Sequence, residues 1–111
     1  MKTKHEAIFC IVNSGYSELV MDAAKKLGAR GGTVINARGT ANKDAETFFH
    51  ITIQPEKEIV MILVPTKIKD DVLHALYKEA GLDTPGQGIA FAMPVDNVVG
   101  INSAPEQTEK K

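Results

Sequence analysis

Apolar residues run without a break from Ala7 to Val12, AIFCIV, which predicts a strand buried on both faces or central in a sheet. Asn13-Ser14-Gly15 ends the run, and either Asn13 or Ser14 is placed to cap a following helix. In that helix Tyr16, Leu19, Val20, Ala23, Ala24 and Leu27 recur at steps of three and one and form one stripe. Lys25 and Lys26 lie in its last turn, where positive charge suits the helix dipole, and Gly28 is the natural stop. Gly31-Gly32 lead into Thr33–Arg38, a strand with period-two character. Residues 39–47, GTANKDAET, are polar and aperiodic and predict an exposed loop. Phe49, Ile51 and Ile53 then alternate with Phe48, His50 and Thr52, as in a half-buried strand. Pro55-Glu56-Lys57 interrupts it, and Glu58–Val64 is again an apolar strand. The pattern fits one bent strand or two strands with a turn between them.

Pro65-Thr66 opens a second helix with Thr66 as the N-cap candidate and Asp70 and Asp71 in its early turns. Its stripe is Ile68, Val72, Leu73, Leu76 and Ala80, and Gly81 ends it. The segment DTPGQG, 83–88, is turn-rich; Ile89–Met93 is a last core strand, and Val95–Ile101 is a candidate short one. Strand, helix, glycine turn and strand thus occur twice. Two βαβ units joined this way predict an α+β ferredoxin-like βαββαβ sandwich, an antiparallel sheet with two helices on one face. The other face would still carry apolar side chains, more than a monomer usually exposes, so a homo-oligomer is expected. One domain is predicted over 1–102, with a polar, disordered tail over 103–111.

The 111 residues suffice for one core, and the net charge of −1 supplies no general positive field for nucleic acid. The longest wholly apolar run, Ile59–Val64, is far short of a membrane helix, and MKTKHE leads straight into the first strand. A cytoplasmic protein without membrane insertion or a nucleic-acid partner is expected. Cys10, the single cysteine, reads as a small buried hydrophobe.

The chain offers no convincing catalytic set, and an enzyme is not expected. His5, His50 and His74 are scattered without metal-ligand spacing, and each reads as exposed or internally satisfied. Asp70 and Asp71 are adjacent and point different ways on a helix, so they suit the dipole better than acid–base work. Gly31-Gly32 precedes a strand, whereas nucleotide-binding glycine motifs follow one and open a helix. Gly86-Gln87-Gly88 is either a simple turn or a nest of backbone N–H groups for an anion. Lys57, at the strand break, is either a solvated surface lysine or a point charge for a phosphate.

As a whole the chain resembles the P-II family of nitrogen regulatory proteins over roughly residues 6–102. LGARGGTVINARGT, 27–40, looks like that family's passage from the first helix into strand two. EKEIVMILVPTK, 56–67, looks like its third strand and the entry to helix two. TPGQGIAFAMPVDNVVGIN, 84–102, looks like its B-loop and last strands. The resemblance implies a homotrimer that binds ATP or ADP between subunits and uses a T-loop to regulate a partner protein, a membrane transporter for several P-II-like proteins. It places Ile11 and Thr33 at the adenine, Leu63 in the base pocket, and Lys57 at the phosphates. It puts Gly39 beside the phosphates, with Arg38 and Thr40 flanking it, and Gly86, Gln87 and Gly88 in the B-loop. It maps the partner loop onto Thr40–Thr47, with Ala41, Asn42, Lys43, Asp44 and Thr47 as its residues.

The chain also departs from the family. Ile89 replaces the B-loop lysine, and Gly100 and Asn102 replace two C-terminal phosphate arginines. A charge-assisted bond is worth roughly 1.5–3 kcal/mol, so three absent cations weigh against a triphosphate in the usual pose. Arg30 and Arg38 are the candidates to compensate. Thr47 stands near the family's modified tyrosine, so uridylylation is not expected. The rival readings are a metal-binding or structural trimer of the same fold, CutA-like, and a small ferredoxin-like enzyme.

Overall fold

The computed structural model describes residues 4–40, 43–51 and 55–100. In chain order the elements are β1 (His5–Asn13), α1 (Ser17–Lys25), β2 (Gly32–Arg38), α2 (Lys43–Phe49), β3 (Glu56–Pro65), α3 (Thr66–Glu79) and β4 (Gly88–Val95). The strands form one sheet in the order β2-β3-β1-β4, with every neighbouring pair antiparallel. This is the ferredoxin-like order expected from the doubled βαβ pattern.

Alternation along the strands sorts side chains onto two faces. Ile8, Cys10 and Val12 of β1 and Val60, Ile62 and Val64 of β3 turn toward the helices and are buried. They meet Val20, Ala23 and Ala24 of α1 and Val72 and Leu76 of α3 in one core. A fully buried aliphatic side chain of this kind contributes roughly 1.5–3 kcal/mol. Burial also removes Cys10 from water and pushes its thiol pKa from 9.0 up to about 12, since a thiolate there would lose its hydration. On the opposite face Phe9, Ile11, Ile59, Met61, Ile89, Phe91 and Met93 share a surface that no element among the described residues covers. Phe9 and Phe91, cross-strand partners, stack there with ring centroids 5.4 Å apart.

The helix ends differ from expectation. Neither Asn13 nor Ser14 caps α1; the N-cap is Tyr16, which makes no side-chain cap bond. Glu58 reaches over from β3 instead, and its Oε1 accepts from the backbone N–H groups of Gly15 (3.2 Å) and Ser17 (3.3 Å). A carboxylate there satisfies otherwise unbonded N–H groups and suits the dipole. At the other end Ala29 N–H bonds Ala24 C=O and Gly28 N–H bonds Lys25 C=O, with Gly28 at φ 111°. That paired pattern needs a positive φ, which glycine adopts without strain. Pro65 rather than Thr66 is the N-cap of α3; Thr66 begins the helix and donates its N–H to Lys4 C=O at 2.8 Å.

Three sequence expectations are corrected. The segment expected to be a loop over 39–47 contains a third helix, α2, whose acidic first turn offsets its lack of an apolar stripe. The strand expected around Phe49 and Ile51 is absent: Phe48 and Phe49 close α2, and His50 turns the chain at φ 56°. Residues 52–54, with the rest of that expected strand, lie outside the described residues. Beyond Val95, residues 96–100 form no strand. The period-two strand β2 is also less buried than its pattern suggests, because it lies at the sheet edge with only Ala37 half-buried. The expected tail over 103–111 lies outside the described residues.

Candidate functional site

One end of the sheet gathers the close of β1, the close of β2, the start of β3 and the turn before β4. Register sets Lys57 directly between Asn13 on β1 and Ala37 on β2. The Lys57 ammonium donates to Asn13 Oδ1 at 2.7 Å, and Asn13 Nδ2 donates to Gly86 C=O at 3.4 Å. Asn13 therefore ties the cation to the turn at Gly86. The Lys57 stem lies against Gly39, where an added methyl group would stand 3.1 Å from Cε. Gly39 N–H donates to Pro55 C=O at 2.7 Å and Ser14 N–H to Glu56 C=O at 3.1 Å, which join these loop segments by backbone bonds. A cleft of about 320 Å³ opens beside them, lined by Asn13, Ser14, Tyr16 and Glu56.

The turn before β4 is tightly built. Gly88 lies so close to β1 that a Cβ there would stand 2.3 Å from Ile11 C=O, which only glycine avoids. Thr84 N–H bonds Gly81 C=O, and Gln87 N–H bonds Thr84 C=O. The Gln87 N–H is thus engaged within the turn, and the Gln87 side chain lies near Gly81 at the end of α3.

The structure divides the sequence-predicted residues into groups. Arg38, Gly39, Lys57, Gly86, Gln87 and Gly88 gather at the end just described, with Ile11 paired to Ile89 and its C=O close to Gly88. Thr33 faces Met61 and Leu63 faces Ala7, toward the far end of the same sheet. Six residues of strand, about 20 Å at the usual rise, separate Lys57 from Leu63. Within one chain the two sets do not line one pocket. Thr40 is exposed after β2, and Lys43, Asp44 and Thr47 are exposed on α2. Ala41 and Asn42 lie outside the described residues. Asn13, which joins Lys57 to the turn, was missed as a site residue; its only signal was an amide at the end of an apolar run. Arg38 stands opposite Glu56 in the β2–β3 register, on the sheet face away from Lys57. Among the described residues, no three His, Cys, Asp or Glu side chains could together hold a metal ion.

A doubled βαβ unit with an antiparallel sheet in the order β2-β3-β1-β4 places the chain in the ferredoxin-like class of folds. The family model for nitrogen regulatory protein P-II matches residues 5–104. The chain belongs to the P-II family, whose members are regulatory signalling proteins. The Arabidopsis thaliana PII protein bound to citrate is similar in structure, with a TM-score of 0.69 and 24% identity; the match covers 90% of this chain and 82% of that one. At that identity the likeness speaks for the fold. No curated protein matches the chain.

Proposed function

We propose that this chain is a non-enzymatic P-II-type signalling subunit that assembles as a homotrimer, binds a small anionic effector between copies and acts on a partner protein through residues 39–48. The observation that carries the reading is the split of the ligand-candidate residues between opposite ends of one sheet. Thr33 and Leu63 can join Lys57 and Gly86–Gly88 only if two copies bring unlike ends together. The open apolar face, where Ile89 is 59% exposed, supplies the surface for such packing. The similar plant protein is bound to citrate, which favours an anion as the effector; an adenine nucleotide is the other candidate.

The segment between β2 and β3 is the surface that would meet the partner. α2 buries none of its residues, and Phe48 is 76% exposed with Phe49 packed edge-on at 4.9 Å. Two neighbouring aromatic rings in water suit recognition of an apolar pocket better than they suit the fold. A role in nitrogen metabolism or transport, with a cytoplasmic location and a transporter as partner, is the setting that fits. None of the helices among the described residues is long and apolar enough to cross a membrane.

Light scattering on the full chain, paired with calorimetric titration of citrate, AMP, ADP and ATP, tests the reading. A trimer that binds one of these is expected. Phe91→Glu, midway along the edge strand β4 on the open face, should give monomers that no longer bind. A monomeric wild-type chain that binds none of them would sink the proposal.

A further inference from the structure

We infer that Asn13 is a positioning residue for the anion: its amide fixes the Lys57 ammonium beside the turn before β4 without cancelling the charge, so the effector meets a cation already in place. The inference rests on the anion-binding reading above. A lysine is a poor fixed charge by itself, because its long stem has many rotamers and ordering them opposes binding. Here three contacts order it. The strand pairs its backbone with Asn13 on one side and Ala37 on the other. Gly39 leaves room for the stem, since the Cβ it lacks would stand 3.1 Å from Lys57 Cε. The tip donates to Asn13 Oδ1 at 2.7 Å.

Asn13 serves as the fixed point because it is itself held. It closes β1, and its C=O accepts from Tyr16 N–H at 3.2 Å, while Ser14 N–H donates to Glu56 C=O at 3.1 Å. Its Nδ2 donates to Gly86 C=O at 3.4 Å, so both ends of the amide are engaged. The side chain has to be a neutral amide to do this. An aspartate would also accept from Lys57, but it has no proton for Gly86 and would neutralise the ammonium at contact. Glu58, the carboxylate that follows Lys57, does not compete for it. Strand alternation turns Glu58 to the helix-covered face, where its Oε1 accepts from Gly15 and Ser17 N–H.

The wild-type chain, Asn13→Ala and Asn13→Asp are each titrated with citrate, AMP, ADP and ATP by calorimetry, and each is unfolded in urea. For whichever anion the wild type binds, Asn13→Ala is expected to weaken affinity about fivefold or more, because the ligand must then order the lysine itself. Asn13→Asp should weaken it about threefold or more beyond that, because the charge is offset. Yet Asn13→Asp should be at least as stable in urea as Asn13→Ala, since its bond to Lys57 remains. A variant that binds worst without being the least stable marks a positioning role. Asn13→Ala binding as the wild type does, or Asn13→Asp binding as tightly as Asn13→Ala, overturns the inference and leaves the anion reading intact. Affinity losses that follow the stability losses also overturn it, and leave Asn13 a role in the fold alone. A wild-type chain silent to all four anions removes the anion reading, and this inference with it.

Discussion

Lys57 and Asn13 face each other across β3 and β1, and the lysine donates to the asparagine Oδ1 at 2.7 Å. Asn13 also donates through Nδ2 to Gly86 C=O, so one amide links the lysine on β3 to the turn before β4. The positions of the Lys57 ammonium and of this turn are coupled through one side chain.

Lys57→Met should keep the stem packed on Gly39 while removing the charge. Anion affinity is expected to fall roughly 10- to 150-fold, the value of a charge-assisted bond of about 1.5–3 kcal/mol. Urea unfolding should change by less than about 1 kcal/mol, since Lys57 is only half-buried. Calorimetry beside urea titration separates the two effects.

Gly88→Ala should destabilise the fold by about 2 kcal/mol or more, because the added Cβ meets backbone at Ile11, which cannot yield as a side-chain tip would. Gly31→Ala is the control. Nothing stands within 4 Å of its Cβ position, so it should be neutral or stabilise by up to about 1 kcal/mol. Parallel thermal and urea melts compare them.

Stability should decline between pH 9 and 12 through Cys10. The folded thiol has its pKa raised to about 12 by burial, against an ordinary 9.0. Above pH 9 the unfolded chain therefore gives up this proton first, and unfolding is favoured. The loss is on the order of 4 kcal/mol across the window, full stability being present below pH 9. Cys10→Ala should lack this component in urea melts across the range. In the native protein at pH 8, a thiol reagent should react only as fast as the chain opens.

Chymotrypsin should cut first after Phe48 or Phe49. No residue of α2 is buried, and a seven-residue helix gains little from its own hydrogen bonds, so it opens at small cost. Mass spectrometry of early digests is expected to show fragments ending there before any cut after the half-buried Phe9. Early cleavage at Tyr77 alone would contradict the assignment.

The core elements were legible because burial left its period in the sequence. The runs Ala7–Val12 and Glu58–Val64 mark the two central strands, β1 and β3, and Val72 and Leu76 mark the inward side of α3. The stripe of α1 was only half informative. Val20, Ala23 and Ala24 are buried, but Tyr16, Leu19 and Leu27 keep more than a third of their surface in water. α2 was unreadable for the same physical reason, since a helix that buries nothing has no stripe to display. Phe48 and Phe49 then counterfeited a strand. The candidate-site residues Lys57, Gly39, Gly86 and Gly88 stand out singly in the sequence, but the contacts among them do not. The bonds from Asn13 to Lys57 and Gly86, and from Glu58 to α1, span 41 to 73 positions and follow from register alone.

The isolation of α2 bears on how such a protein can change. No side chain between Lys43 and Phe49 supports the core, so replacing all seven with another soluble segment of similar span should leave the rest of the fold standing. Substitutions in the buried strands risk unfolding; substitutions in α2 leave the buried core untouched. A chain arranged this way can change the surface it presents at α2 while its buried core stays as it was.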